Sequence, residues 1–209
     1  MKANILKYSL FTAIALTVFT SCVGEDDYAL PTYKKMLLSQ NFESLPAGGG
    51  ATELPVTLDG WVNANIGTGS RVWHVRQFDN NKYADFSSYY SDDSETDQTW
   101  LITPSLEIEN SNYSFSFDYQ IRFYNHNNLA VFISQDYDGT IEGIEQAEWQ
   151  PINVNFPSSN TNDQFLSSGN ISLSEYDNSS VSIAFKYVGS NGANQTTTYQ
   201  IDNITIFEN

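Results

Sequence analysis

The chain has 209 residues, 40% hydrophobic and 14% aromatic, with a formal net charge of −16. Apolar and aromatic content at that level excludes a disordered acidic tail. The charge excludes a partner held by its phosphate backbone, so nucleic acid is set aside.

The N-terminus reads as a processing signal. Lys2 and Lys7 precede an apolar stretch from Tyr8 to Phe19, then small residues Thr20 and Ser21 lead to Cys22, the only cysteine. A positive start, a short apolar run and small residues before a cleavage point describe a secretory signal peptide over residues 1–21. The run is shorter than the ~20 residues that span a bilayer. Phe19-Thr20-Ser21-Cys22 resembles the lipobox of bacterial lipoproteins, in which the thiol is acylated and becomes the first mature residue. Lipid on Cys22 is then the membrane anchor. Cleavage removes two lysines and no acids, leaving 25 acidic and 7 basic residues, a charge of −18. Residues 22–35 form a tether with the acidic run Glu25-Asp26-Asp27. That run resembles the surface-export signal of Bacteroidetes lipoproteins and places the chain on the outer membrane, facing the exterior.

Residues 36–209 carry strand patterning. Val72 to Val75 and Trp100 to Ile102 are short apolar runs. From Tyr113 to Phe123, large apolar residues occupy one parity, with Ser, Asp, Gln and Arg on the other, the mark of a half-buried strand. Leu129 to Ile133 is apolar on both parities, as a strand inside a two-layer core is. Glu142 to Trp149 is the only stretch suited to a helix, and a short one. Val181 to Tyr187 alternates again. Asn125–Asn128, Asp136–Gly139, Ser158–Asp163 and Gly189–Gly192 supply turns. In the last strand Tyr199 and Ile201 lie on one parity, Ile204 and Ile206 on the other. Either a β-bulge at Asp202-Asn203 re-aims Asp202 as a ligand, or the strand is buried on both faces. The expected fold is an all-β jelly-roll sandwich of two mainly antiparallel sheets.

A set of landmarks recurs in order: Phe42-Glu43, Gly60-Trp61, Trp73, Trp100-Leu-Ile-Thr-Pro104, Phe115-Ser-Phe-Asp-Tyr119, Leu129 to Ser134, Trp149, Ile183 to Tyr187 and Ile201-Asp-Asn-Ile204. Together they resemble the choice-of-anchor J domains of Bacteroidetes surface proteins, relatives of the cleaved adhesin and MAM-like domains. The resemblance implies an extracellular sandwich with adhesive or carbohydrate-linked roles. It also implies structural calcium held by Glu43, Asn65 and Asp202. Asn65 and Asn203 stand where the family carries acids, which removes two charges from a cation that takes six to eight oxygens.

No catalytic constellation accompanies the two histidines, so no enzyme is expected. His74 reads as packed or at a sheet edge, His126 as solvated in a turn, and the acidic run Asp92–Asp97 as a solvated loop. Trp61, Trp73, Trp100 and Trp149 read as core. Tyr89, Tyr90 and Tyr124 fall outside clean alternation beside polar loops, and are the candidate ligand contacts. An aromatic face flanked by Asn and Asp suits the apolar faces and hydroxyl edges of a sugar. The expected function is a surface binding or adhesion module for a glycan or a host or matrix protein. The alternatives are a structural subunit of a surface assembly and a glycan-acting hydrolase.

Overall fold

The computed structural model describes Lys34–Asn209. The expected signal peptide 1–21, Cys22 and the expected tether up to Tyr33 lie outside the described residues. In chain order the strands are β1 (Met36–Gln40), β2 (Leu54–Pro55), β3 (Val62–Asn65), β4 (His74–Phe78), β5 (Asn81–Phe86), β6 (Asp97–Ile102) and β7 (Leu106–Ile108). They continue with β8 (Tyr113–Arg122), β9 (Leu129–Ser134), β10 (Gln150–Ile152), β11 (Leu166–Ser167), β12 (Ile171–Ser172), β13 (Ser179–Gly189) and β14 (Thr198–Glu208).

Two sheets form a sandwich, and every pairing between these strands is antiparallel. The first runs β11-β8-β14-β5-β4-β2, with β1 also on β14 and β12 also on β8. The second runs β10-β9-β13-β6-β3, with β7 also on β13. The alternation along β8 explains its place: Phe115, Phe117, Tyr119 and Ile121 all point into the core. There Phe117 meets Phe185 of β13 edge-on, with ring centroids 5.0 Å apart. Such pairs add about 0.5–1.5 kcal/mol beyond the area they bury.

The strands of the second sheet that are apolar on both parities have a second layer to face. Trp100, Ile102 and Ala184 turn away from the main core and pack with Tyr137 and Ile144. These come from the excursion between β9 and β10. Trp149 packs on Trp100 with the rings tilted and their centroids 5.2 Å apart, and it donates its indole N–H to the Ile144 carbonyl at 2.9 Å. The short helix expected from Glu142 to Trp149 is a 3-10 turn over Glu142–Glu145.

The sequence pattern and the structure part company at three places. The run Val72 to Val75 is not one strand, because β4 begins at His74. The backbone of Trp73 is satisfied instead by the Asn63 amide, which accepts from Trp73 N–H at 3.1 Å and donates to its carbonyl at 2.7 Å. Strand β8 stops at Arg122, and Phe123 takes a left-handed φ of 52° that swings its ring out of the core parity. In the acidic run, Asp97 is fully buried, accepting hydrogen bonds from Asn65 and Ser91.

The phase slip in β14 is a bulge. Its register on β8 shifts between Asp202 and Thr205, and Asn203 adopts φ 48°. Before the bulge β14 pairs with β5, and after it with β1. Both Ile201 and Ile204 therefore reach the core.

Candidate functional site

The outer face of the first sheet is lined with polar side chains that are nonetheless out of solvent. Cross-strand register places Gln120, Gln200, Asp85 and His74 in one row over β8, β14, β5 and β4. All four are buried. Gln200 donates to Asp85 at 2.9 Å.

At one end of this face lies a cavity of about 470 Å³. Its floor holds Glu53, Arg71, His74, Arg76 and Asp85. Two of the chain's three arginines are thus in one place. Arg71 grips Glu53 with two hydrogen bonds and donates from Nη1 to the Ser87 carbonyl and the Ser91 hydroxyl. Arg76 donates to the carbonyls of Gly50 and Thr52. Burial pushes the Glu53 carboxyl up, but the Arg71 hydrogen bonds and the nearby His74 and Arg76 outweigh it and hold it below the usual range. His74 is 2% exposed, with Nε2 3.2 Å from Asp85 Oδ1 and 3.8 Å from Glu53 Oε1. Neither contact is aligned as a hydrogen bond, so both ring nitrogens lack a partner. A buried polar group left so costs about 1–3 kcal/mol.

Aromatic rings stand at the rim. A 3-10 turn at Ser88–Tyr90 follows β5, capped by the Ser87 hydroxyl, which accepts from Tyr89 N–H and donates to the Thr196 carbonyl. The turn is therefore held firmly while it presents Tyr89 and Tyr90, 61% and 70% exposed, against each other at 5.0 Å. Both line the cavity. Tyr124 does not: it is half-buried against the core, with its hydroxyl on Asn127. The neighbouring Phe123, 70% exposed, stands at the rim in its stead, with Asn125, Asn194, Thr196 and Thr198 between. The alternation that assigns Phe123 to the core hides it. The floor residues were legible only as a polar parity, His74-x-Arg76 and Tyr83-x-Asp85-x-Ser87, carrying charges of both signs.

The expected calcium ligands divide between two places. Asp202 is buried at the bulge, where it accepts from Asn81 and from the Asn203 N–H. Burial pushes its carboxyl up to about 6; those two hydrogen bonds pull it down, and nearby Asp118 and Glu43 push it further up. Glu43 thus shares a neighbourhood with Asp202, and it accepts the Lys82 N–H at 2.9 Å. Asn65 lies in the other sheet with all its capacity used. Its amide donates to the Arg71 carbonyl and Asp97, and its oxygen accepts from Gly67 and Gln98. Among the described residues no group of three or more His, Cys, Asp or Glu side chains is arranged to hold a metal ion.

A family model described as a domain of unknown function, DUF5017, matches residues 68–208. No curated protein matches the chain. Among solved structures, the K3 cleaved adhesin domain of Lys-gingipain from Porphyromonas gingivalis is similar at TM-score 0.51 and 12% identity, over 85% of this chain and 100% of that one. The K1 domain of the same protein gives 0.43 at 16% identity, over 82% and 98%. The tandem CBM22 domains of Paenibacillus barcinonensis Xyn10C give 0.44 at 14% identity, over 83% of this chain and 46% of that one. The K3 domain shares the fold; the other two are too distant to argue from.

Proposed function

The chain belongs to the DUF5017 family, and on that premise we propose that it is a surface binding module, not an enzyme, whose ligand sits in the cavity beneath Tyr89, Tyr90 and Phe123. One observation carries this reading: three exposed rings standing over a floor of buried polar groups, two of whose nitrogens have no partner. Concave sites with apolar walls and a few converging polar groups are where ligands bind. The similarity in fold to a cleaved adhesin domain agrees with adhesion, and the ordered landmarks agree with the choice-of-anchor J group. The leader and Cys22 support display by a lipid anchor on the outer membrane, facing outward. The ligand is a glycan or a host or matrix protein.

Glycan and matrix-protein arrays probed with the wild type and with a Tyr89→Ala/Phe123→Ala double variant test this. Retention by the wild type and its loss in the variant is the expected result. No retention on either array, or retention the variant keeps, contradicts it. Calcium belongs to the same proposal, at Glu43 and Asp202 and without Asn65. A chelator should then lower the melting midpoint, and an unchanged midpoint removes the ion.

A further inference from the structure

A second cavity, of about 440 Å³, lies on the same outer face of the first sheet. It is lined by Phe78, Asn81, Tyr83, Gln120, Arg122 and Phe165 among others. The two cavities meet where Arg76 of one lies directly across from Tyr83 of the other. Along β5 the side chains facing outward run from Asn81 and Tyr83 in the second cavity to Asp85 and, just beyond the strand, Ser87 in the first. That span is six residue steps, about 20 Å at 3.4 Å per step. Aromatic rings mark both ends. Tyr89, Tyr90 and Phe123 stand at one, and at the other Phe78, 75% exposed at the β4–β5 turn, faces Phe165 packed on Tyr83 at 5.4 Å.

The floor between them has unspent polar capacity. Gln200 lies between Asp85 of the first cavity and Gln120 of the second, is 3% exposed, and its Oε1 has no partner. His74 adds two more unpartnered atoms. A neutral imidazole offers one donor and one acceptor, and a glutamine oxygen is an acceptor. A hydroxyl, which both donates and accepts, matches the imidazole that lines the first cavity. The arginines are already matched within the protein: Arg71 and Arg76 share a cavity with the two carboxylates Glu53 and Asp85, and Arg122 pairs with Asp163 at 3.0 Å. No spare cation remains to hold a carboxylated or sulfated sugar, and a mature chain of charge −18 repels one.

We propose that the two cavities are one groove, and that it takes a neutral oligosaccharide several rings long, laid along the strands from the Tyr89–Phe123 rim to Phe78. This rests on the binding-module reading and adds the chemical class and the extent of the ligand.

Calorimetric titration of the wild-type protein with neutral xylo-, manno- and cello-oligosaccharides, from disaccharide to hexasaccharide, tests it. For the series that binds, affinity should rise about tenfold with length, the worth of one further stacked ring. Phe78→Ala should remove that gain and leave the disaccharide unchanged; Phe78 is too exposed for its loss to threaten folding. Phe123→Ala should weaken every length. Equal affinity at all lengths, or a Phe78→Ala variant that keeps the gain, overturns the groove while leaving a single-cavity module. Binding of a matrix protein or an acidic glycan, with no neutral sugar bound at any length, overturns the ligand class alone. Silence toward all ligands on both arrays removes the module, and the groove with it.

Discussion

Asp202 is the residue on which the bulge turns. Its carboxyl is pushed up to about 6 by burial, against roughly 3.9 in an unfolded chain. For a group raised on folding, the stabilising contribution is whole below the unfolded value and is lost as pH rises through the folded one. At neutral pH the charged Asp202 is therefore a cost, of the order of 1–2 kcal/mol once partial solvation is allowed for. In chelator, Asp202→Asn should raise the melting midpoint at neutral pH by about 2–6 °C and change it little near pH 4. In calcium, an ion at this site would reverse the sign. Thermal melts at the two pH values read both outcomes. The bulge at Asp202 and the exposure of Tyr89 and Tyr90 were legible in the sequence because each breaks a regular pattern. Phe123 was hidden because it obeys one: it continues the apolar parity of β8, and only its left-handed backbone shows that the strand has ended.

Among the elements, long strands with one buried face were the easiest to read. β8 and β13 follow their apolar residues to within two positions at each end, since a one-residue slip would expose every large side chain at once. β4 was harder. Half its side chains face the polar outer sheet, and Trp73, the most apolar residue of the run, lies outside the strand and is held by Asn63. The β4–β5 turn offers a direct check. Asp79 and Asn80 both have positive φ, 49° and 61°, as the tight hairpin turn requires. Asn80→Gly relieves that strain without touching a contact the fold needs. It should stabilise the protein by about 0.5 kcal/mol, seen as a higher urea midpoint at unchanged slope. A lower midpoint would mean that the Asn80 side chain matters in a way its backbone does not suggest.

For the described molecule, Lys34–Asn209, two sheets pressed together over Phe115, Phe117, Phe185 and Tyr187 are the source of stability. Phe117→Ala should cost about 3–5 kcal/mol, and the milder Phe185→Leu should keep the fold at a smaller cost. Coincident melting by fluorescence and circular dichroism is expected in both. That the sheets would pack as a sandwich was legible, because alternation and turn spacing are local signals. The groove was not. Its floor and rim come from Glu53, the stretch Arg71–Arg76, Asp85–Tyr90, Phe123–Asn125 and Asn194–Thr198, segments that only the strand order brings together.

The outer face of the first sheet is proposed to receive the ligand, and that placement can be mapped residue by residue. Amide NMR shifts of the labelled protein, recorded as the oligosaccharide retained on the array is added, give that map. The amides that move should be those of Ser87–Tyr90, Phe123–Asn125 and Thr196–Thr198, with Phe78 joining as the chain lengthens. Shifts confined to the second sheet or to the Trp100–Trp149 layer would contradict it.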